Sequence, residues 1–160
     1  MNPSLYVETS VVSYLTARPS RDLITAARQQ LTALWWATRR SDYDLFVSPL
    51  VLEEAELGDA SAAAARLAVF QDLPLVVPSP EADALAVSLM DDTPLPKKAA
   101  ADAAHIAAAT AAGAEYLLTW NFKHIANPVL REHIAQVCRT SGYRPPALCT
   151  PEDLLEGTMP

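Results

Sequence analysis

Glycine is scarce, with four in 160 residues and none close to another. A loop that cradles phosphates needs several glycines together, so nucleotide sites of that design are excluded. Cysteine occurs twice, as Cys138 and Cys149, and neither falls into a metal-binding spacing with the three histidines. Two buried thiols in a reducing compartment are the expectation. No run approaches the ~18 apolar residues of a membrane span. The opening stretch MNPSLYVETSVVSYL lacks a basic leader, and Glu8 interrupts its apolar run. It does not read as a signal peptide, which places the protein in the cytoplasm. Positive charge is also short, with 12 Lys and Arg against 19 Asp and Glu and a net charge of −7. The nearest things to a basic cluster are Arg39-Arg40 and Lys97-Lys98. This argues against broad, tight, non-specific nucleic-acid binding. An acidic pocket remains open, because metal ions can bring the positive charge to it.

What the chain does have is apolar residues, 51% of the total, enough for a sizeable core. They alternate between two patterns. Short runs rich in strand formers read as buried strands at Ser4–Glu8, Asp44–Ser48, Leu73–Pro80, Glu115–Trp120 and Ala147–Thr150. Helical spacing separates them. Thr9 and Ser10 can cap a first helix, and Asp22 to about Arg40 forms a second. Pro49 suits the first position of a helix to Leu57, stopped at Gly58-Asp59. Further helices are expected over Ala60–Leu73, from Glu81 to about Met90, from Lys98 to a left-handed cap at Gly113, and from Pro128 to about Ser141. The stretch Asp91–Lys98 reads as a loop, and PEDLLE as a last short turn of helix. The alternation predicts a three-layer α/β/α sandwich around a central, mostly parallel sheet. No composition shift or repeat divides the chain, so residues 1–160 are expected to form one domain. Trp35 and Trp36 are expected in the core, although their helix is also a plausible contact surface.

In an open parallel sheet, ligands bind beyond the carboxyl ends of the strands. Glu8 ends the first strand. Glu54 lies in the helix after Asp44–Ser48. Asp102 opens the alanine-rich helix that leads into Glu115–Trp120, and Asn121 follows that strand. All four are expected at one edge of the sheet. Taken singly, each has a plainer reading. Glu8, Glu54 and Asp102 would then be solvated acids, Asn121 a helix cap, and His105 a packed or hydrogen-bonded histidine. Their equivalent positions favour the joint reading. Gathered carboxylates repel one another unless something compensates. A hard divalent cation, Mg²⁺ or Mn²⁺, prefers oxygen ligands and would do so. Such an ion can clamp a phosphate. Another magnesium-dependent phosphoryl-transfer design, with an Asp-x-Asp pair after the first strand, is absent: the chain reads Glu8-Thr9-Ser10.

The segments YVETSVVSYL, SPLVLEEAELGD and KAAADAAHIAAATAAGAEYLLTWNFKHI, in that order, resemble the PIN-domain nucleases, and within them the VapC-type toxins of bacterial toxin–antitoxin pairs. The resemblance spans roughly Leu5 to Leu154. It implies a metal-dependent endoribonuclease that leaves a 5′-phosphate and a 3′-hydroxyl. Glu8, Glu54 and Asp102 take the metal-ligand positions, Asn121 the fourth site position, and Thr9 the hydroxyl lining the site. It also implies an RNA substrate, a small antitoxin partner and a homodimer. Lys97, Lys98 and Lys123 are candidates for phosphate contacts. Two departures stand out: Glu8 and Asn121 occupy positions where the family usually has Asp. The rival expectation is a non-catalytic module of the same fold, whose acidic pocket grips a partner protein.

Overall fold

The computed structural model describes residues 1–156. Its sheet has four parallel strands in the order β2-β1-β3-β4: β1 (Ser4–Val7), β2 (Asp44–Phe46), β3 (Tyr116–Leu118) and β4 (Ala147–Cys149). Among the described residues, eight α-helices surround it: α1 (Thr9–Thr16), α2 (Leu23–Thr38), α3 (Pro49–Ala55), α4 (Ala60–Phe70), α5 (Pro80–Asp92), α6 (Ala100–Ala111), α7 (Pro128–Thr140) and α8 (Pro151–Glu156). The α/β/α sandwich expected from the sequence is therefore the architecture found.

Strand register explains the two faces. Tyr6 pairs with Phe46 and Leu117, so these three side chains share one face. Tyr6 meets His105 of α6 there. Leu5 pairs with Leu45 and Tyr116, which share the other face. On that side Tyr116 packs edge-on against Tyr43, and Tyr43 lies against Trp35 of α2. Leu5, Tyr6, Val7, Leu117 and Leu118 are fully buried. With helices on both faces, the strands need not alternate apolar and polar residues.

Three expectations need correction. Leu73–Pro80 is not a strand of the sheet; it contributes one parallel bridge, Leu75 to Val47. Pro74, Pro78 and Pro80 cannot donate to a ladder. Only Val76 N–H reaches Val47 O, and Val47 N–H reaches Pro74 O. Second, neither Thr9 nor Ser10 caps α1. The Glu8 side chain does, accepting from Ser10 N–H, which frees the hydroxyls of both residues for other contacts. Third, the contact surface sketched for Trp35 and Trp36 loses Trp35, which is fully buried. Gly113 does close α6 in the left-handed region, at φ 79°. Ala114 N–H then returns to Ala109 O.

Candidate active site

Because the strands are parallel, Glu8 and Thr119 leave the sheet at the same edge. Glu8 N–H donates to Leu118 O, which fixes the two exits side by side. The Glu8 side chain is 6% exposed and is held three times. Its Oε1 accepts from Ser10 Oγ at 2.5 Å and Thr119 Oγ1 at 2.6 Å, and its Oε2 accepts from Ser10 N–H at 2.9 Å. The extra methylene that separates Glu from Asp lets this carboxylate fold back onto its own helix.

Glu54 comes from the end of α3. Its Oε1 accepts from Thr9 Oγ1 at 2.6 Å and lies 2.5 Å from His105 Nε2. Burial would raise the Glu54 pKa. The hydrogen bond and charge of His105, with the Thr9 hydroxyl, outweigh that and hold it below the ordinary value of 4.5. His105 is buried, and its Nδ1 lies 2.7 Å from the Tyr6 hydroxyl, which in turn lies 2.6 Å from Ser48 Oγ. Burial pushes the Tyr6 phenol well above its ordinary value, the Ser48 hydrogen bond opposes this, and the charges of Glu8 and Glu54 add to it. Tyr6 therefore keeps its proton at neutral pH.

Glu8, Glu54 and His105 place one ligand-type atom each within 4.8 Å of one another. Distance alone would make all three metal donors. A carboxylate accepts only, so the hydrogen between His105 and Glu54 belongs to Nε2. That nitrogen has no lone pair to offer, and His105 is best understood as the group that orients Glu54. The two carboxylates remain as donors.

Asp102 stands in the first turn of α6. It is not part of that tight group. Its Oδ1 accepts from Asn121 Nδ2 at 2.9 Å, and its Oδ2 lies 2.8 Å from His124 Nδ1. Asn121 Oδ1 accepts from the backbone N–H groups of Lys123 and His124, so the side chain also closes its own turn. Thr119 joins the two halves: its hydroxyl donates to Glu8 and accepts from Asn121 N–H at 2.9 Å. The sequence thus pointed to Glu8 and Glu54 as neighbours, and they are. It also pointed to Asp102 beside them, and the structure pairs Asp102 with Asn121 and His124. Thr9 lines the site through Glu54. His124, Thr119 and Tyr6 were not singled out, and Ser10 was read only as a helix cap. His124 follows Asn121 by three residues, as His105 follows Asp102, and that shared spacing was the available signal.

No family model matches the chain, and no curated protein matches it. Among solved structures, the chain is similar to VapC20 of Mycobacterium tuberculosis, a PIN-domain toxin described as cleaving the sarcin-ricin loop. The TM-score is 0.59 at 18% identity, over 76% of this chain and 92% of that one. At that identity the likeness shows the fold alone, a PIN-like α/β/α sandwich.

Proposed function

We propose that the protein is a divalent-metal-dependent endoribonuclease, the toxin of a toxin–antitoxin pair. The observation that carries this reading is the meeting of the Glu8 and Glu54 carboxylates at the carboxyl edge of a PIN-like sheet. Two oxygen donors held by hydroxyls, with no thiolate near, suit Mg²⁺ or Mn²⁺ better than a softer metal. Glu8 and Glu54 would hold the ion, and Asp102, one helical turn before His105, is the third carboxylate of the site. When bound, the ion would offset the carboxylates' charge and stabilise the negative charge that develops on the scissile phosphate.

The chain's own groups divide the remaining work. Ser10 and Thr119 fix Glu8, while Thr9 and His105 fix Glu54, so neither carboxylate has to be ordered when substrate arrives. Asn121 and His124 hold Asp102 with its oxygens aligned. Asp102 orients the attacking water and takes its proton as the water's oxygen bonds to phosphorus. The 3′ oxygen leaves in line and is protonated from solvent, giving a 5′-phosphate and a 3′-hydroxyl. Asn121 is a positioning residue in this scheme. Cytoplasmic RNA is the substrate, and a small antitoxin and a second copy of the chain are the partners this reading brings with it.

The test is cleavage of structured RNA, beginning with a sarcin-ricin-type stem-loop, with Mg²⁺ or Mn²⁺ present. Glu54→Gln and Asp102→Asn should each lower the rate by roughly 10²-fold or more, the scale of losing one preorganised electrostatic group. Equal cleavage by all three proteins would remove the reading.

A further inference from the structure

The turn that follows β3 has two sides. Its inner side is committed: Asn121 and His124 bind Asp102, while Ile125 and Ala126 are buried. Its outer side carries Phe122, 42% exposed, and the exposed Lys123. Phe122 is the last member of a row of mutually tilted rings. Tyr14 lies 5.9 Å from Trp120, and Trp120 lies 5.9 Å from Phe122. Trp120 is pinned by its indole N–H to the buried Thr32 hydroxyl at 2.7 Å. That hydroxyl donates to Arg28 O, and the Arg28 guanidinium sits 4.7 Å from the centre of the Phe122 ring. On the other flank Lys98 is exposed as well, just before α6, the helix that carries Asp102. Lys97 is the next residue, also exposed. Among the described residues, none of Arg28, Lys97, Lys98 and Lys123 forms an ion pair. In a chain with a net charge of −7, these cations stand beside the turn that holds Asp102.

We propose that the strip Arg28–Phe122–Lys123–Lys98 holds the single-stranded RNA next to the scissile bond, with one unpaired base on Phe122 and Arg28 and one phosphate on each of Lys98 and Lys123. The proposal deepens the nuclease reading and rests on it. A held aromatic ring beside a guanidinium is a stacking surface that any base face can use, and cations beside it follow the backbone. A base inside a duplex has both faces covered, so the strip selects unpaired nucleotides. Lysines without an ion-pair partner in the fold are available to an RNA phosphate, with which they form charge-assisted hydrogen bonds. The charge needed to hold RNA is thereby concentrated at one place instead of being spread over the surface.

The experiment is fluorescence anisotropy with a labelled single-stranded oligoribonucleotide and a duplex of the same sequence, in chelator so that no cleavage occurs. Wild type should prefer the single strand. Phe122→Ala should weaken binding about 5- to 150-fold, the contribution of one stacked base, while Phe122→Trp should retain it. Lys98→Ala with Lys123→Ala should flatten the dependence of log K on log salt by about 1.4, for two phosphate contacts to a single strand. The strip is refuted if Phe122→Ala binds within about twofold of wild type, against a loss of ~5-fold or more for one stacked base. It is equally refuted if Phe122→Trp loses as much as Phe122→Ala, or if wild type binds no RNA. Displacement of the RNA by polyglutamate from wild type and Phe122→Ala alike would also overturn it, in favour of an acidic protein partner. Failure of the nuclease reading shows elsewhere, as equal cleavage by wild type and Glu54→Gln in the metal-containing assay.

Discussion

Glu8→Gln keeps the side chain's volume and removes one acceptor and the charge. Glu8 receives three hydrogens, two at Oε1 from hydroxyls and one at Oε2 from Ser10 N–H. A glutamine can satisfy one set. With its oxygen toward the hydroxyls, its amino group faces Ser10 N–H, and the cap of α1 is lost. Flipped, it caps the helix, but its amino group meets two hydroxyl oxygens that already accept from Trp120 N–H and Asn121 N–H. Their hydrogens then lose Glu8. Either way one or two buried donors go unsatisfied, at ~1–3 kcal/mol each. Relief of repulsion with Glu54 opposes this. Glu54 is part exposed and tied to His105, so that relief is on the order of 1 kcal/mol or less. The net loss is on the order of 1–5 kcal/mol, a fall in Tm of about 2–20 °C for a chain of this size. It should be measured by thermal melting in chelator. An equal or higher Tm for the variant would refute the accounting. Mn²⁺ at a hundredfold excess over its Kd should then stabilise wild type by about 2.7 kcal/mol and leave Glu8→Gln nearly unmoved. No shift in wild type would defeat the cation reading itself.

His105→Ala strips partners from both the buried Tyr6 hydroxyl and Glu54, and should cost ~2–4 kcal/mol in urea unfolding; an unchanged midpoint would mean the Ser48–Tyr6–His105–Glu54 chain is not structural. Glu54, with its pKa below 4.5 in the fold, is ionised at neutral pH. Its stabilising contribution is complete above that value and is lost as pH falls through the lower folded value. Glu54→Gln should therefore show a shallower loss of stability below pH 4.5 than wild type, and parallel acid curves would contradict this. Burial, then Asp153, pushes the Cys149 thiol up to about 12, so thiol reagents at neutral pH should label it only on unfolding. Prompt labelling in the native protein would show that strand β4 opens.

What the sequence disclosed follows from two regularities. Apolar runs separated by helical spacing specify a parallel sheet, and a parallel sheet sends every strand's exit to one edge. Glu8, Glu54, Asp102 and Asn121 could be placed at that edge for this reason alone. Grouping within the edge depends on side-chain reach, and no periodicity encodes it. Asp102 and His105 are three residues apart on α6, yet one meets the turn after β3 and the other meets α3 and β1. The Leu73–Pro80 run failed as a strand because apolar content and β-branching say nothing about donors, and its prolines remove them. Ser10 and Thr119 were unreadable as site residues because hydroxyls are common and their role depends on one folded-back carboxylate.

The arrangement also bears on Glu8 and Asn121, the two positions where the family that the sequence resembles usually has Asp. A glutamate in place of aspartate at position 8 would be a defect if the shorter side chain alone could reach the site. Here the longer chain curls onto Ser10 and Thr119 and still ends within 4.8 Å of the Glu54 group. Thr119 then carries the link onward, because the oxygen that donates to Glu8 also receives Asn121 N–H. An aspartate at 121 would face Asp102 with no hydrogen to offer, whereas the Asn121 amide donates to it. The amide at 121 fits an Asp102 already engaged by His124. Each acid has a neutral or cationisable group assigned to it: hydroxyls for Glu8, His105 and Thr9 for Glu54, Asn121 and His124 for Asp102. The fold can therefore keep three acids at one edge without a cation, which is what the proposed function requires of a site assembled in advance of its substrate.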